Sequence, residues 1–290
     1  MDIFENREMS DSSKKLYLHN LKKLNEGNVF KNLNYLKKYD IIDTKLRDLK
    51  PNTKRTYLIA IVSASKGDAK YSKIYAYYYK HLDQLNRELR NNTSKTEKEK
   101  TNWMEADEIH EKYSDVFSIV DEIGKKKKLN QSEYEKLLNL VIFSLYYLIP
   151  PRRNLDFINM HICKPDDNKD KNYYYKGKFY FNRFKTAKTY KQQVVDVPQE
   201  LESILKFYLK YKPKSSDKLL VRRNEKPLNN SSDMTHFLER IFSKKIGASM
   251  LRKFYLTTKY SDKMNDLEND SKAMGTSVDT IKMNYIKKDD

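Results

Sequence analysis

Hydrophobic positions in the first third of the chain recur at helical intervals. Leu18, Leu21 and Leu24 form one such series and Phe30, Leu33 and Leu36 another. The stretch PNTKRTYLIAIVSASKG opens with Pro51, which suits the first turn of a helix, and closes at Gly67, which suits a stop. YSKIYAYYYKHLDQLNREL then places Ile74, Tyr78, Leu82, Leu85 and Leu89 on one side of a long helix, with Lys and Arg on the others. This pattern predicts a helical domain over 1–92. The periodicity stops in NNTSKTEKEKTN, residues 91–102, which carries no large aliphatic side chain. That composition predicts an interdomain linker over 93–102, a frayed extension of the preceding helix being the other reading.

A second domain is expected over 103–290. SEYEKLLNLVIFSLYYLI is its most apolar helix, with Ser132 as N-cap and Pro150-Pro151 as its end. YYYKGKFYFNRFK reads as a β-hairpin turning at Lys176-Gly177, and QQVVDVP as a third strand stopped by Pro198. Helical patterns return over 199–211, 232–246 and 249–261, followed by two short helices. Met274-Gly275 ends the first of these, and Ser277 or Asp279 starts the second, which carries Tyr285. The fold class expected is mainly α with a small antiparallel β-sheet: an N-terminal helical domain, then a mixed α+β domain. No internal repeat is visible.

Charge adds a partner. The 290 residues hold 58 Lys and Arg against 40 Asp and Glu, a net charge of +18. Such a field favours a polyanion, nucleic acid before an anionic membrane surface. An AT-rich genome also enriches Lys, Asn, Tyr and Ile, so charge alone does not decide. No apolar run approaches membrane-spanning length and no secretory leader is apparent, so a membrane location is not expected. The single cysteine, Cys163, allows no intrachain disulfide and suits an intracellular compartment. With five scattered His and no HExxH or CxxC spacing, neither a metal nor another cofactor is expected. KKKK at 125–128 reads as a nuclear import signal or as a solvated basic loop.

Three segments carry candidate chemistry. In LIPPRRNLDFINM, two prolines break a buried helix just before Arg152 and Arg153, and Asp156 follows Arg153 at i+3, a spacing at which a carboxylate can hold a guanidinium. A guanidinium so held is a bidentate phosphate ligand, although an ordinary surface ion pair gives the same pattern. In GASMLRKFYLTTKY, Leu251, Tyr255 and Leu256 are expected in the core, leaving Arg252 to point elsewhere. In AMGTSVDTIKMNYIK, Tyr285 lies near the end of the last helix.

Arg-x-x-Asp, a basic β-hairpin, Leu-Arg-Lys, then Met-Gly-Thr-Ser with a following Tyr resemble, in this order, the catalytic domain of the tyrosine recombinases, the phage integrase and Cre-like family. The N-terminal helices resemble that family's core-binding domain, so the resemblance spans nearly the whole chain. PPRRNLD and FKTAKTYKQQVVDVP look most like versions carried by large DNA viruses, virophages and related mobile elements. The resemblance implies site-specific DNA recombination or integration through a 3′-phosphotyrosine intermediate, without metal. By position, Arg153 and Arg252 match the two catalytic arginines, Asp156 the acidic support, and Tyr285 the nucleophile. Arg152 is the alternative if the register shifts by one. Lys185 matches the catalytic lysine between the second and third strands, with Lys188 and then Lys178 as alternatives.

Two positions depart from the family pattern. Ser249 stands where histidine is usual, and Thr276 where histidine or tryptophan is. Both keep a hydrogen-bond donor but lack the acid–base capacity of histidine. Lys253, where the family often has histidine, offers partial compensation. The resemblance implies double-stranded DNA as partner, held by lysines of both domains, and a homo-oligomer, a tetramer on DNA. The nucleus and a cytoplasmic viral factory stay open as its place of action. Only IKKDD follows Tyr285, where recombinases usually carry a helix that docks on a neighbouring subunit. DNA relaxation of the type IB topoisomerase kind is therefore one alternative, and a catalytically impaired DNA-binding protein another.

Overall fold

The computed structural model describes residues 3–4, 7–92, 94–166 and 169–286. The chain divides into two compact units, Met1–Lys95 and Thr96–Asp290. In the first, helices α1 (Asp11–Leu24), α2 (Tyr39–Arg47), α3 (Pro51–Ser65) and α4 (Ser72–Asn91) enclose a core that includes Leu21, Leu58, Ile61, Ile74 and Tyr78. Pro51 occupies the first turn of α3, where its missing N–H costs no intrahelical bond, and Gly67 leaves that helix at φ +75°. The expected helix around Phe30–Leu36 is instead a loop ending in one 3₁₀ turn, Asn34–Lys37. Leu33 and Leu36 are still buried. An i, i+3 pair shares a face in a 3₁₀ turn as well as in an α-helix, so the spacing did not separate the two.

The second unit begins with α5 (Glu97–Asn102), where a linker was expected; Thr93 lies outside the described residues. Thr96 and Glu99 form a reciprocal capping box, and buried Asn102 accepts from the Lys245 N–H at 2.9 Å through its Oδ1. The T-x-x-E pattern outweighs the polar composition. Helices α6 (Ala106–Phe117) and α7 (Ile119–Ile123) lead to α8 (Gln131–Tyr147), whose first turns are polar and whose residues from 140 to 146 are buried on every side. Leu137, Leu140, Val141, Ile142 and Leu145 are all fully buried, as befits a central helix. Its N-cap is Asn130, paired reciprocally with Glu133, and not Ser132.

After the short α9 (Asn154–Ile158) come β1 (Met160–His161), β2 (Asn172–Tyr175), β3 (Lys178–Phe181), α10 (Ala187–Tyr190) and β4 (Gln193–Asp196). The strands form one sheet in the order β1-β2-β3-β4, with β1 parallel to β2 and the other pairs antiparallel. The sheet is thus mixed rather than antiparallel, because a two-residue strand too short to show a pattern adds a parallel edge. The β2–β3 turn falls at Lys176-Gly177 as expected, both at positive φ (+46° and +71°), the geometry of a tight two-residue hairpin. Helices α11 (Gln199–Tyr211) and α12 (Ser231–Phe242) pack on α8.

The chain then enters α13 (Ala248–Ala273), a single helix of 26 residues where a helix over 249–261 and a separate short one were expected. Neither Gly nor Pro occurs between Gly247 and Gly275, so nothing breaks it. A short α14 (Val278–Thr280) and a π-turn, Ile281–Tyr285, follow. No helix among the described residues is long and apolar enough to cross a membrane.

Candidate functional site

Pro150-Pro151 holds the backbone extended between α8 and α9. Arg153 is the N-cap residue of α9. Its neighbour Asn154 is buried and fixes this corner: the Tyr146 hydroxyl donates to Asn154 Oδ1 at 2.7 Å, and Asn154 Nδ2 donates to the Ser231 carbonyl at 2.8 Å. The backbone beside Arg153 is thereby fixed between α8 and α12. On α13, Leu251 and Phe254 are buried and Leu256 is exposed, so Phe254 takes the core position expected of Leu256. Arg252, between the two buried residues, faces a cavity of 560 Å³. Arg153, Ser249 and Lys253 line the same cavity, and α5 closes one side with Thr96 and Glu99.

Asp156 supports an arginine, but not the expected one. Arg152 Nε donates to Asp156 Oδ2 at 3.0 Å, Arg152 Nη1 donates to Gln193 Oε1 at 2.9 Å, and the guanidinium lies 3.8 Å from the centre of the Phe181 ring. Toward Arg153, the Asp156 backbone N–H donates to the Arg153 carbonyl at 3.0 Å, and the Asp156 carboxylate is held by the charge and backbone N–H of Arg153 less than by the side chain of Arg152. Arg153 has extended backbone as the cap, so the pairing along α9 runs i to i+4 from Arg152. Burial draws the Arg152 guanidinium below its ordinary pKa against the pull of Asp156, and the charges of Arg153 and Arg252 lower it further. Burial likewise raises the Asp156 carboxyl. Both shifts are led by desolvation, so this pair positions the segment more than it stabilises the fold.

Breaking the pair is a different matter, because it strands a buried charge. Asp156→Asn is expected to destabilise the second unit by about 3 kcal/mol. The single tryptophan, Trp103, lies in that unit against Phe254 at 4.8 Å between ring centres. Its fluorescence during urea unfolding should show the lower midpoint.

The remaining candidates lie apart from the cavity lining. Lys185 is exposed in the β3–β4 connection and Lys188 is exposed on α10. Lys178 pairs with Asp196 at 2.5 Å across β3 and β4, which raises its ammonium pKa. The Thr276 N–H donates to the Ser271 carbonyl at 2.9 Å and the Gly275 N–H to that of Lys272 at 3.1 Å, with Gly275 at φ +64°. Met-Gly-Thr is therefore first a Schellman stop for α13. Tyr285 ends the π-turn, 62% exposed. The structure thus brings together Arg153, Arg252, Ser249 and Lys253, sets Asp156 behind them through Arg152, and leaves Lys185, Thr276 and Tyr285 outside the cavity lining.

Sequence reasoning missed Glu99, Asn154 and Gln193. Glu99 pairs with Lys253 inside the cavity. The hydrogen bond from Lys253, aided by the Thr96 N–H, pulls its carboxyl down to about 2. The contribution of that contact is complete above the ordinary carboxylate pKa and is lost as pH falls from there toward 2. No model of a known protein family matches the chain, and no curated protein matches it.

Proposed function

We propose that the chain breaks and rejoins double-stranded DNA through Tyr285, as a site-specific recombinase or integrase of tyrosine recombinase type. The supporting observation is the convergence of Arg153 and Arg252, from α9 and α13, on one cavity with Ser249 and Lys253. A net charge of +18 adds a field suited to a polyanion.

Attack on a phosphodiester builds negative charge on its non-bridging oxygens. Two fixed guanidiniums aimed at those oxygens stabilise that charge most in the transition state. Ser249 and Lys253 add donors to the same phosphate. The Tyr285 oxygen forms a bond to phosphorus as the bond to the 5′ oxygen breaks. Lys185, or Lys188 beside it, supplies the proton that the departing 5′ oxygen takes up. The 3′-phosphotyrosine link retains the energy of the phosphodiester, so reversal reseals the strand.

The exposed position of Tyr285, together with Ser249 and Thr276 in place of aromatic residues, favours a second reading: a DNA-binding protein with impaired chemistry. Trapping decides between them. The wild-type chain is incubated with nicked and supercoiled duplexes, stopped with detergent and resolved on a denaturing gel. A protein–DNA adduct with a blocked 3′ end and a free 5′-hydroxyl is expected. Salt-sensitive retardation without any adduct would establish the second reading.

Glu99 places a carboxylate among the cationic side chains. Glu99→Gln is expected to tighten duplex binding a few-fold, about 1 kcal/mol, and to steepen its dependence on salt as Lys253 is released toward phosphate. Gel retardation across a salt series reads both effects.

A further inference from the structure

The 182–192 connection between β3 and β4 carries Lys185 and Lys188, both exposed. A lysine on a free loop would not meet one phosphorus–oxygen bond reproducibly, because proton transfer needs the donor within hydrogen-bond reach. Here the connection is fixed to α9 in two ways. Gln192 Nε2 donates to Asn182 Oδ1 at 2.7 Å and closes its mouth. At that end Asn172 is fully buried. Its Oδ1 accepts from the N–H groups of Asn182 and Arg183 at 2.8 and 2.7 Å. Its Nδ2 donates to the carbonyls of Arg183 and Asp156 at 3.1 and 2.7 Å. An amide side chain offers two donors and two acceptor lone pairs, so this one is fully used.

The second attachment is Arg152. Its Nη1 reaches Gln193, the first residue of β4, and its Nε reaches Asp156 on α9. The centre of the Phe184 ring lies 5.3 Å from the same guanidinium. A cation and a ring attract within about 6 Å. Phe184 is half-buried, while Arg183 and Lys185 on either side of it are exposed. Lys185 therefore follows directly on a residue docked against Arg152, and Arg152 directly precedes Arg153. Lys188 sits instead on α10, which has no buried residue. Lys178 starts β3, paired with Asp196.

We infer that Phe184 is a positioning residue for proton transfer: docked on Arg152, it sets Lys185 at a fixed place relative to the phosphate that Arg153 grips. This rests on the proposed function and names how its general acid is held. As the phenol oxygen of Tyr285 bonds to phosphorus, its proton passes to solvent. The bond to the 5′ oxygen breaks, and that oxygen keeps the electron pair and takes a proton from the Lys185 ammonium.

Two nicked duplexes test it. The wild-type cleavage position is first mapped from its adduct. One duplex is ordinary there, and the other carries sulfur in place of the bridging 5′ oxygen. A thiol ionises at about pH 8.5, far below an alcohol, so the sulfur leaves without needing a proton. On the ordinary duplex, Phe184→Ala is expected to cleave roughly 10²-fold more slowly than wild type in a single turnover. On the sulfur duplex it should cleave at the wild-type rate. Lys185→Ala should give the same pair of results. Phe184→Tyr, which keeps the ring, should restore cleavage of the ordinary duplex.

An equal loss on both duplexes overturns the inference and leaves Phe184 a packing role only. No loss on the ordinary duplex overturns it too, as does a Lys188→Ala chain that shows the pattern when Lys185→Ala does not. Wild-type chain that forms no adduct on any duplex removes the proposed function, and the inference with it. Trp103 fluorescence confirms that Phe184→Ala is folded; if it is not, Phe184→Leu, which keeps apolar bulk without a ring, replaces it.

Discussion

Tyr285→Phe is expected to abolish the covalent DNA adduct entirely while leaving duplex affinity and stability at wild-type levels. The phenol is 62% exposed, and its oxygen makes no hydrogen bond to the described residues. Removing the hydroxyl therefore leaves no buried partner stranded. The loss in cleavage is complete because no neighbouring group replaces a covalent nucleophile. Gel retardation and urea unfolding check the two unchanged properties, and detergent trapping checks the lost one. The comparison is informative because the chain holds 23 tyrosines. An adduct that survived the substitution would point to another exposed tyrosine. Tyr190, 63% exposed on α10 close to Lys188, would be the first to replace.

Much of the fold could be read from the sequence where one local rule dominated. The Lys176-Gly177 hairpin and the Pro51 start of α3 each follow from a residue type with a single strong conformational preference, and α11 follows from an uninterrupted helical pattern after Pro198. The failures lie where two rules competed. Thr96–Asn102 is polar enough to be a linker, yet its capping box makes it the helix that carries Glu99 into the cavity. The run after Arg252 looked like two helices because its apolar periodicity fades. Helix continuity there depends on the absence of Gly and Pro, and α13 continues through exposed polar residues. Spacing alone also could not say whether Asp156 holds the residue three or four positions before it. Arg153 caps α9 in extended geometry, and that passes the carboxylate to Arg152. The convergence of Arg153 with Arg252 depends on tertiary packing through Asn154, Ser231 and Thr235, to which no periodicity points.

Arg252→Ala and Arg153→Ala are each expected to lower the cleavage rate by roughly 10² to 10³-fold, the usual cost of removing one preorganised donor from a transition-state oxyanion. Lysine at either position should restore little, because a single ammonium cannot reproduce a bidentate grip on phosphate. Neither alanine variant should lose much stability, since neither guanidinium makes an ion pair among the described residues. Arg152→Ala should behave differently. It leaves Asp156, 3% exposed, without its cation and exposes the face of Phe181, so urea unfolding should show the largest loss of the three. Single-turnover cleavage on nicked duplex, with each variant first shown to be folded by Trp103 fluorescence, separates the roles. An Arg153→Ala chain that cleaves like wild type, beside a folded but inert Arg152→Ala chain, would move the first catalytic arginine to Arg152. Asp156 would then hold the group that touches phosphate, and Arg153 would serve only to cap α9.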